Sequence, residues 1–343
     1  MSKFKFYIVL LIATIVVSSC NKDDDNDIEV VPPRDYAEQY KTEKVLIETY
    51  LKTNYITVVN APGETRDQDV VIAKLDADHK ISIWDQKDYA LLNRKVNIHG
   101  ITYTLYYLVL REGQGEKPCN VDDVFTSYNG KYLTETTTKN VTSITSTQFE
   151  EVIYPQSFLN LFGLIRGWKE IFPQFKTGDT SSNDDGTIKY TNFGAGVMFL
   201  PSGLAYYNSG KGSIPAYAPL VFSFKLYEIK RSDLEYNVIN GNAFSDPDGV
   251  PSYQEDFDGD GYVWMNSELQ VGATENPDDT DKDGIPDFLD FDDDGDGYAT
   301  IGEVKKADGT YYAFEDIPDC DGKIPTDVKK KRHLDKDCHK MSQ

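Results

Sequence analysis

Aspartates at alternate positions, each set closed by a glycine, carry the densest chemistry in this sequence. In Asp292-Asp293-Asp294-Gly295-Asp296-Gly297-Tyr298, carboxylates stand at places 1, 3 and 5 of a loop, and Glu303 stands at place 12. That spacing lets one loop wrap a cation in hard oxygen ligands. The carbonyl of Tyr298 serves at place 7, and a bidentate glutamate closes the shell around the glycine turn at place 6. Asp256, Asp258 and Asp260 repeat the front half before Gly261, with Glu268 falling at place 13. Asp279, Asp281 and Asp283 precede Gly284 and are followed by Asp287 and Asp290, making a third set. A solvated acidic tail is the competing reading, but it gives no reason for a glycine after the third aspartate each time. Flexible all-oxygen loops suit calcium better than magnesium. The ions are expected to be structural, holding together a segment too poor in aliphatic residues to build an ordinary core.

A second set of residues could do chemistry without charge. Tyr128 lies in Ser127-Tyr128-Asn129-Gly130, and Leu164, Ile165 and Trp168 in Leu164-Ile165-Arg166-Gly167-Trp168. Tyr206 follows Phe199-Leu200-Pro201-Ser202-Gly203-Leu204-Ala205, Ile214 precedes Pro215, and Phe222 sits in Leu220-Val221-Phe222-Ser223-Phe224. In this order and spacing, over roughly Tyr103 to Lys230, these residues resemble the FKBP-type peptidyl-prolyl isomerases. The resemblance implies an apolar bowl for a proline ring, floored by Trp168 and walled by Tyr128, Leu164 and Phe222. It further implies that the Ile165 amide and the Tyr206 phenol donate to the substrate and that Ile214 lines the rim. The nearest match to the family's Phe-Asp pair is Phe149-Glu150. Tyr207 stands where the family has glycine after the pocket tyrosine, and an insertion turning at Asp184-Asp185-Gly186 separates Gly178 from Val197. The competing reading is that Trp168, Tyr206 and Phe222 only fill a core. The Asp292-to-Glu303 loop resembles an EF-hand, the Asp256 loop repeats its front half, and the Asp279-to-Asp290 set between them resembles a thrombospondin type 3 calcium repeat.

Rotation about an X–Pro bond asks little of a protein. Its barrier of ~18–20 kcal/mol comes from amide resonance. The twisted amide has lost that resonance and is less dipolar, so a dry aromatic bowl favours it over the planar form. No nucleophile, acid, metal or other cofactor is called for, and His79 and His99 read as ordinary surface or packing residues.

The elements that must position these residues follow from pattern. Asp35 with Glu38 reads as a capping box ahead of a helix from Tyr36 to Leu51, with Leu46, Ile47, Tyr50 and Leu51 on its apolar face. Strands are expected at Val70–Ala73, Lys80–Trp84, Val96–Ile98, Tyr103–Val109, Val124–Tyr128, Val197–Leu200 and Leu220–Ile229. The helix carrying Trp168 should end near Phe172, because Pro173 lacks the backbone donor. The fold class is α+β: an antiparallel, half-buried FKBP-like sheet wrapped on one short helix. An N-terminal α+β extension (35–102) is expected to pack on the isomerase-like domain (103–231), which is followed by a coil-rich calcium-binding module (232–343).

The start of the chain reads as an export signal. Lys3 and Lys5, an apolar run from Phe6 to Val17, and Val17-Ser18-Ser19-Cys20 form a lipoprotein signal (residues 1–20) too short to span a bilayer. Lipidated Cys20 would then hold the protein on a membrane, with several acyl chains giving stable anchoring. Residues 21–34 read as a disordered tether. Its Asn21-Lys22-Asp23-Asp24-Asp25 resembles the signal that sends some lipoproteins to the outer face of the outer membrane, with the periplasmic face as the alternative.

The net charge of −22 is local: eighteen of 57 acidic residues fall between Asp246 and Asp296, against Lys282 alone. That excludes a nucleic-acid surface, which needs a basic face. In an exported chain Cys320 and Cys338 are candidates for a disulfide; zinc with His333 and His339 is the alternative, at a spacing that fits no common motif. Cys119 reads as a lone small thiol, buried or half-buried. The expected partners are calcium, the membrane and proline-containing extracytoplasmic proteins. Three functions compete: an isomerase assisting the folding of such proteins, a non-catalytic chaperone binding proline segments, and a calcium-braced surface adhesion or assembly protein.

Overall fold

The computed structural model describes residues 32–138, 141–269 and 272–338. The signal, Cys20, the acidic run of the tether and His339 lie outside these residues. The architecture is mostly antiparallel sheet with few helices.

Helix α1 (Tyr36–Thr53) starts where the cap residues place it: the Asp35 carboxylate accepts from the amides of Ala37 and Glu38 at 2.9 and 3.1 Å. It ends at Asn54, whose extended backbone opens β1 (Asn54–Val58), paired with β2 (Val70–Lys74). The strand expected at Lys80–Trp84 does not form. Ser82 and Asp85 close a local turn, the Ser82 hydroxyl donating to Asp85 at 2.6 Å. The amides of Ile83 and Trp84 donate to the carbonyls of Asn54 and Leu51 at the end of α1. Side-chain-to-backbone competition of this kind outweighs the apolar alternation, and Ile83 becomes a fully buried plug.

The main sheet contains β3 (Leu91–Ile98), β4 (Ile101–Arg111), β5 (Asp123–Thr138), β6 (Val141–Val152) and β7 (Leu159–Asn160). A small hairpin, β8 (Asp179–Ser182) with β9 (Ile188–Thr191), precedes the sheet's last members, β10 (Gly194–Leu200) and β11 (Leu220–Lys230). The strand order is β3-β4-β10-β11-β5-β6, with β7 added on β5, and every pair is antiparallel. Hairpin β8–β9 is the insertion; it turns at Gly186 (φ 82°), with Asp185 accepting from the Thr187 amide.

The sheet is covered on both faces, which is where the half-buried expectation fails. On one face Leu105, Tyr107, Met198, Leu200, Phe222 and Phe224 pack with Trp168 and Phe172. On the other, Leu108, Val197, Phe199 and Val221 meet Ile47, Tyr50 and Leu51 of α1. All seven residues of β10 are buried for that reason. Each large side chain sealed under α1 stabilises the fold by roughly 1.5–3 kcal/mol. The helix also satisfies its own buried acid: Glu43 accepts from the Ser202 amide at 2.7 Å and hydroxyl at 2.5 Å, and from Gln39 at 2.6 Å.

Beyond β11 the chain is coil, short 3₁₀ turns, hairpin β12 (Tyr236–Ile239) with β13 (Asn242–Ser245), and a single-turn helix near Glu303. Its apolar clusters are small. Val250, Val304 and Ile317 form one; Val263, Phe288 and Leu289 form another together with Cys119 and Val121 from before β5. Cys320 and Cys338 are joined, their Cα atoms 5.4 Å apart. Their thiolates are thus not available to zinc, and His333 is buried against the edge of Phe314. No helix among the described residues is long and apolar enough to cross a membrane.

Candidate functional site

The seven bowl residues converge. Asn160 caps the 3₁₀ turn at Leu161–Gly163, and Ile165 then serves as N-cap of α2 (Arg166–Ile171), its carbonyl accepting from the Trp168 amide at 3.0 Å. Gly167 is needed because a Cβ there would lie 2.5 Å from the Leu200 side chain. That close approach presses α2 onto the sheet. Pro173 follows in the next 3₁₀ turn, so the α-helix stops at Ile171. Trp168 stacks on Phe172 at 4.8 Å and takes Tyr128 and Phe222 edge-on at 5.1 and 5.3 Å. It is 4 % exposed, the bottom of the cluster, while Tyr128, Leu164, Ile165 and Tyr206 are half-buried around it and Ile214 is buried.

Phe149 and Glu150 complete the wall through a β-bulge. Gly130 pairs with Glu150 and Lys131 with Gln148, leaving Phe149 as the extra residue of β6. A bulge re-aims side chains. Here the Phe149 ring occupies the space over Gly130, 2.5 Å from where its Cβ would be, and meets Phe222 edge-on at 5.6 Å. Glu150 accepts from the Tyr128 phenol at 2.9 Å. Burial first, and the Glu150 hydrogen bond and charge after it, raise the Tyr128 phenol well above its ordinary range, so it stays a donor.

The loop after Tyr206 is held from an unexpected side. Tyr207, in the glycine's place, has φ 42°, and Tyr217 has φ 61°. A left-handed residue with a side chain costs roughly 1–2 kcal/mol. Stacking offsets it: Tyr207 lies on Tyr36 of α1 at 4.1 Å, Tyr36 on His99 at 3.8 Å, and Tyr217 meets Tyr207 edge-on at 5.1 Å. Thus the N-terminal extension fixes the loop that carries Tyr206. Lys211 sits over the Tyr206 ring at 5.2 Å.

A strap from the C-terminal segment clamps the far side of α2. The Tyr262 phenol donates to the Glu170 carbonyl at 2.9 Å and accepts from Gln174 at 2.7 Å. Arg166 stacks on Trp264 at 3.7 Å, and Lys169 pairs with Glu268 at 2.8 Å. Asn120 exchanges two hydrogen bonds with the backbone of Val263, at 2.6 and 2.8 Å.

The strap follows directly on the first acidic loop. Asp256, Asp258 and Asp260 place one oxygen each within 4.8 Å of one another, as do Asp279, Asp281 and Asp283, and Asp292, Asp294 and Asp296. Asp279, Asp292 and Asp294 each keep a buried oxygen without a protein partner, and Glu303, 1 % exposed, keeps two. Burial and then the neighbouring aspartates push Asp294 up to about 7 and Glu303 up to about 9. Crowded, orphaned oxygens in a hard-donor set fit a calcium ion. Tyr298 sits in the turn, its amide donating to Asp296 at 2.7 Å. Asp287 and Asp290 are outside these trios: Asp287 accepts from the Thr280 amide and hydroxyl at 2.8 and 2.6 Å, and Asp290 from the Asp292 amide at 3.0 Å.

Sequence reading missed a further group. Asp233, Glu235 and Asp248 converge, and Asp248 also converges with Glu255 and Asp293. They come from three separated segments, so no local spacing signals them.

Residues 245–327 match a family model described as BamM C-terminal. No curated protein matches the chain. Solved structures of partial likeness include the following three. One is a peptidyl-prolyl cis-trans isomerase from Pseudomonas syringae pv. tomato, 21 % identical, over 40 % of this chain and 81 % of that one, with TM-score 0.29. A second is FkpA from Escherichia coli, 27 % identical over 37 % and 48 %, with TM-score 0.27. The third is a multi-domain immunophilin from Arabidopsis thaliana, 19 % identical over 37 % and 43 %, with TM-score 0.27. The match spans less than half of the latter two chains.

Proposed function

We propose that this protein is an FKBP-type peptidyl-prolyl cis-trans isomerase acting on proline-containing extracytoplasmic proteins. The observation that carries the reading is the box of Trp168, Tyr128 and Phe222, closed by the bulged Phe149-Glu150 pair. A proline ring would lie on Trp168 against Tyr128 and Phe222. The Ile165 amide and the Tyr206 phenol would donate to the peptide, with Ile214 at the rim. The twisted amide gains over the planar one in this dry setting, each 1.36 kcal/mol being about tenfold in rate. The calcium loops would brace the C-terminal segment from which the strap on α2 emerges, and no cofactor enters the rotation itself. Lipidated Cys20 would anchor the protein at the outer membrane.

A protease-coupled assay on a proline peptide tests the activity. The purified protein should accelerate cis-to-trans conversion, and Trp168→Ala should lower that rate at least tenfold. An unchanged rate in the variant removes the bowl from the mechanism. One observation favours a second reading, a non-catalytic binder of proline segments: Tyr207 replaces the flexible glycine and ties the loop to α1. Binding of the peptide with no acceleration would select it.

A further inference from the structure

We propose that Asp233, Glu235, Asp248, Glu255 and Asp293 hold a pair of calcium ions inside the C-terminal segment, with Asp248 bridging the two. The geometry gives two adjacent positions. Oxygens of Asp233, Glu235 and Asp248 lie within 4.8 Å of one another, and so do oxygens of Asp248, Glu255 and Asp293.

The five carboxylates are not a surface cluster. Glu235 is 0 % exposed, and Asp248, Glu255 and Asp293 are each 1 % exposed. Both oxygens of Glu235, Glu255 and Asp293, one of Asp248 and one of Asp233 are buried without a protein partner. The remaining oxygens of Asp248 and Asp233 take only the amides of Val250 (2.7 Å) and Gly249 (3.3 Å). Arg231, two residues from Asp233, is already engaged by Asp122, by Glu116 at 3.0 Å, and by the Tyr253 ring. Buried charges persist only when paired or bound to a metal. Five carboxylates carry about the charge that two divalent cations neutralise, and an all-oxygen set suits a hard cation such as calcium.

The arrangement also explains residues that the surface loops leave over. Asp293 lies between the loop ligands Asp292 and Asp294 but turns inward, and Glu255 immediately precedes the ligand Asp256. The interior pair therefore joins the chain leaving β11, through Asp233 and Glu235, to the roots of the first and third acidic loops. It is a hub for a segment whose apolar clusters are small, and it stands independently of the isomerase reading.

Crystals of the full chain grown in calcium chloride, with anomalous data collected at long wavelength, test the assignment. Two peaks flanking Asp248 are expected. Peaks in the loops with fewer than two at the hub overturn the proposal, whereas hub peaks without loop peaks uphold it and discard the loop sites. Equilibrium dialysis with radioactive calcium gives an independent measure on the full protein. Asp248→Asn should bind two fewer ions per chain than the parent, and Asp281→Asn one fewer. An Asp248→Asn chain that keeps the parent stoichiometry overturns the bridged pair.

Discussion

Removing a single oxygen from the strap tests whether the C-terminal segment and the bowl helix are mechanically one. In Tyr262→Phe the ring keeps its place beneath Arg94, 4.1 Å away, and against Trp264, but loses the phenol. That phenol is buried, donates to the Glu170 carbonyl at 2.9 Å and accepts from Gln174 at 2.7 Å. A typical intramolecular hydrogen bond contributes about 1 kcal/mol net, and a buried group left without a partner costs about 1–3 kcal/mol. Two bonds lost at a site 3 % exposed give a destabilisation of about 2 kcal/mol. The corresponding fall in Tm is about 3 °C for a chain of this size. Urea unfolding in calcium, followed by fluorescence and near-ultraviolet dichroism, reads the loss. Both signals should shift together, because α2 and the strap share the lost bonds. A cost below about 0.5 kcal/mol, or an early transition of the C-terminal segment that leaves the α2 signal unmoved, refutes the coupling.

Three further outcomes follow from burial and covalent structure. Trp168→Ala empties a space lined by Tyr128, Phe172 and Phe222 and should cost about 3–5 kcal/mol in chemical denaturation; a cost under 1 kcal/mol contradicts the packed floor. His333 is driven down to about 3, first by burial and then by the charges of Lys331 and Arg332, so the folded protein holds it neutral. The unfolded chain binds the extra proton below about pH 6.5, so this contribution is complete above that pH and fades as pH falls toward 3. In His333→Phe, stability measured against pH should lose a slope of about 1.4 kcal/mol per unit in that window, and identical slopes in both proteins reject the buried neutral imidazole. Replacing Cys320 and Cys338 with serine opens a loop with a sequence separation of 18 and should cost about 3 kcal/mol on the chain-entropy estimate, read by calorimetry; no change in Tm contradicts it.

The sequence made the local features legible and hid the long-range ones. Asp35 as a cap, Pro173 as a stop and Asp184-Asp185-Gly186 as a turn act through neighbours one to four residues away, and the structure keeps all three. The bowl residues were legible only through a family resemblance in order and spacing; that Phe222 stands edge-on to Trp168 is what the structure adds. Lys80–Trp84 misled because Ser82 and Asp85 satisfy backbone groups locally, which alternation does not register. The bulge that aims Phe149 and Glu150 together depends on the register of β5 against β6, a choice made by partners twenty residues apart. That the extension packs on the following domain was expected from the apolar stripe of α1, but which face of the sheet it covers was not legible. The interior carboxylates were least legible of all. Asp293 reads as one more member of an acidic run until the fold turns it away from Asp292 and Asp294 toward Asp248 and Glu255.

Rotation of X–Pro bonds in the bowl is observed most directly by NMR exchange spectroscopy, with no coupling enzyme. An Ala-Pro peptide would be followed with catalytic amounts of the protein in a calcium-containing buffer. Uncatalysed exchange takes tens to hundreds of seconds. Cis–trans cross-peaks are expected within sub-second mixing times, abolished by Trp168→Ala in a chain that remains folded. Peptide resonances that shift on binding while cis and trans remain unexchanged would contradict rotation in the bowl.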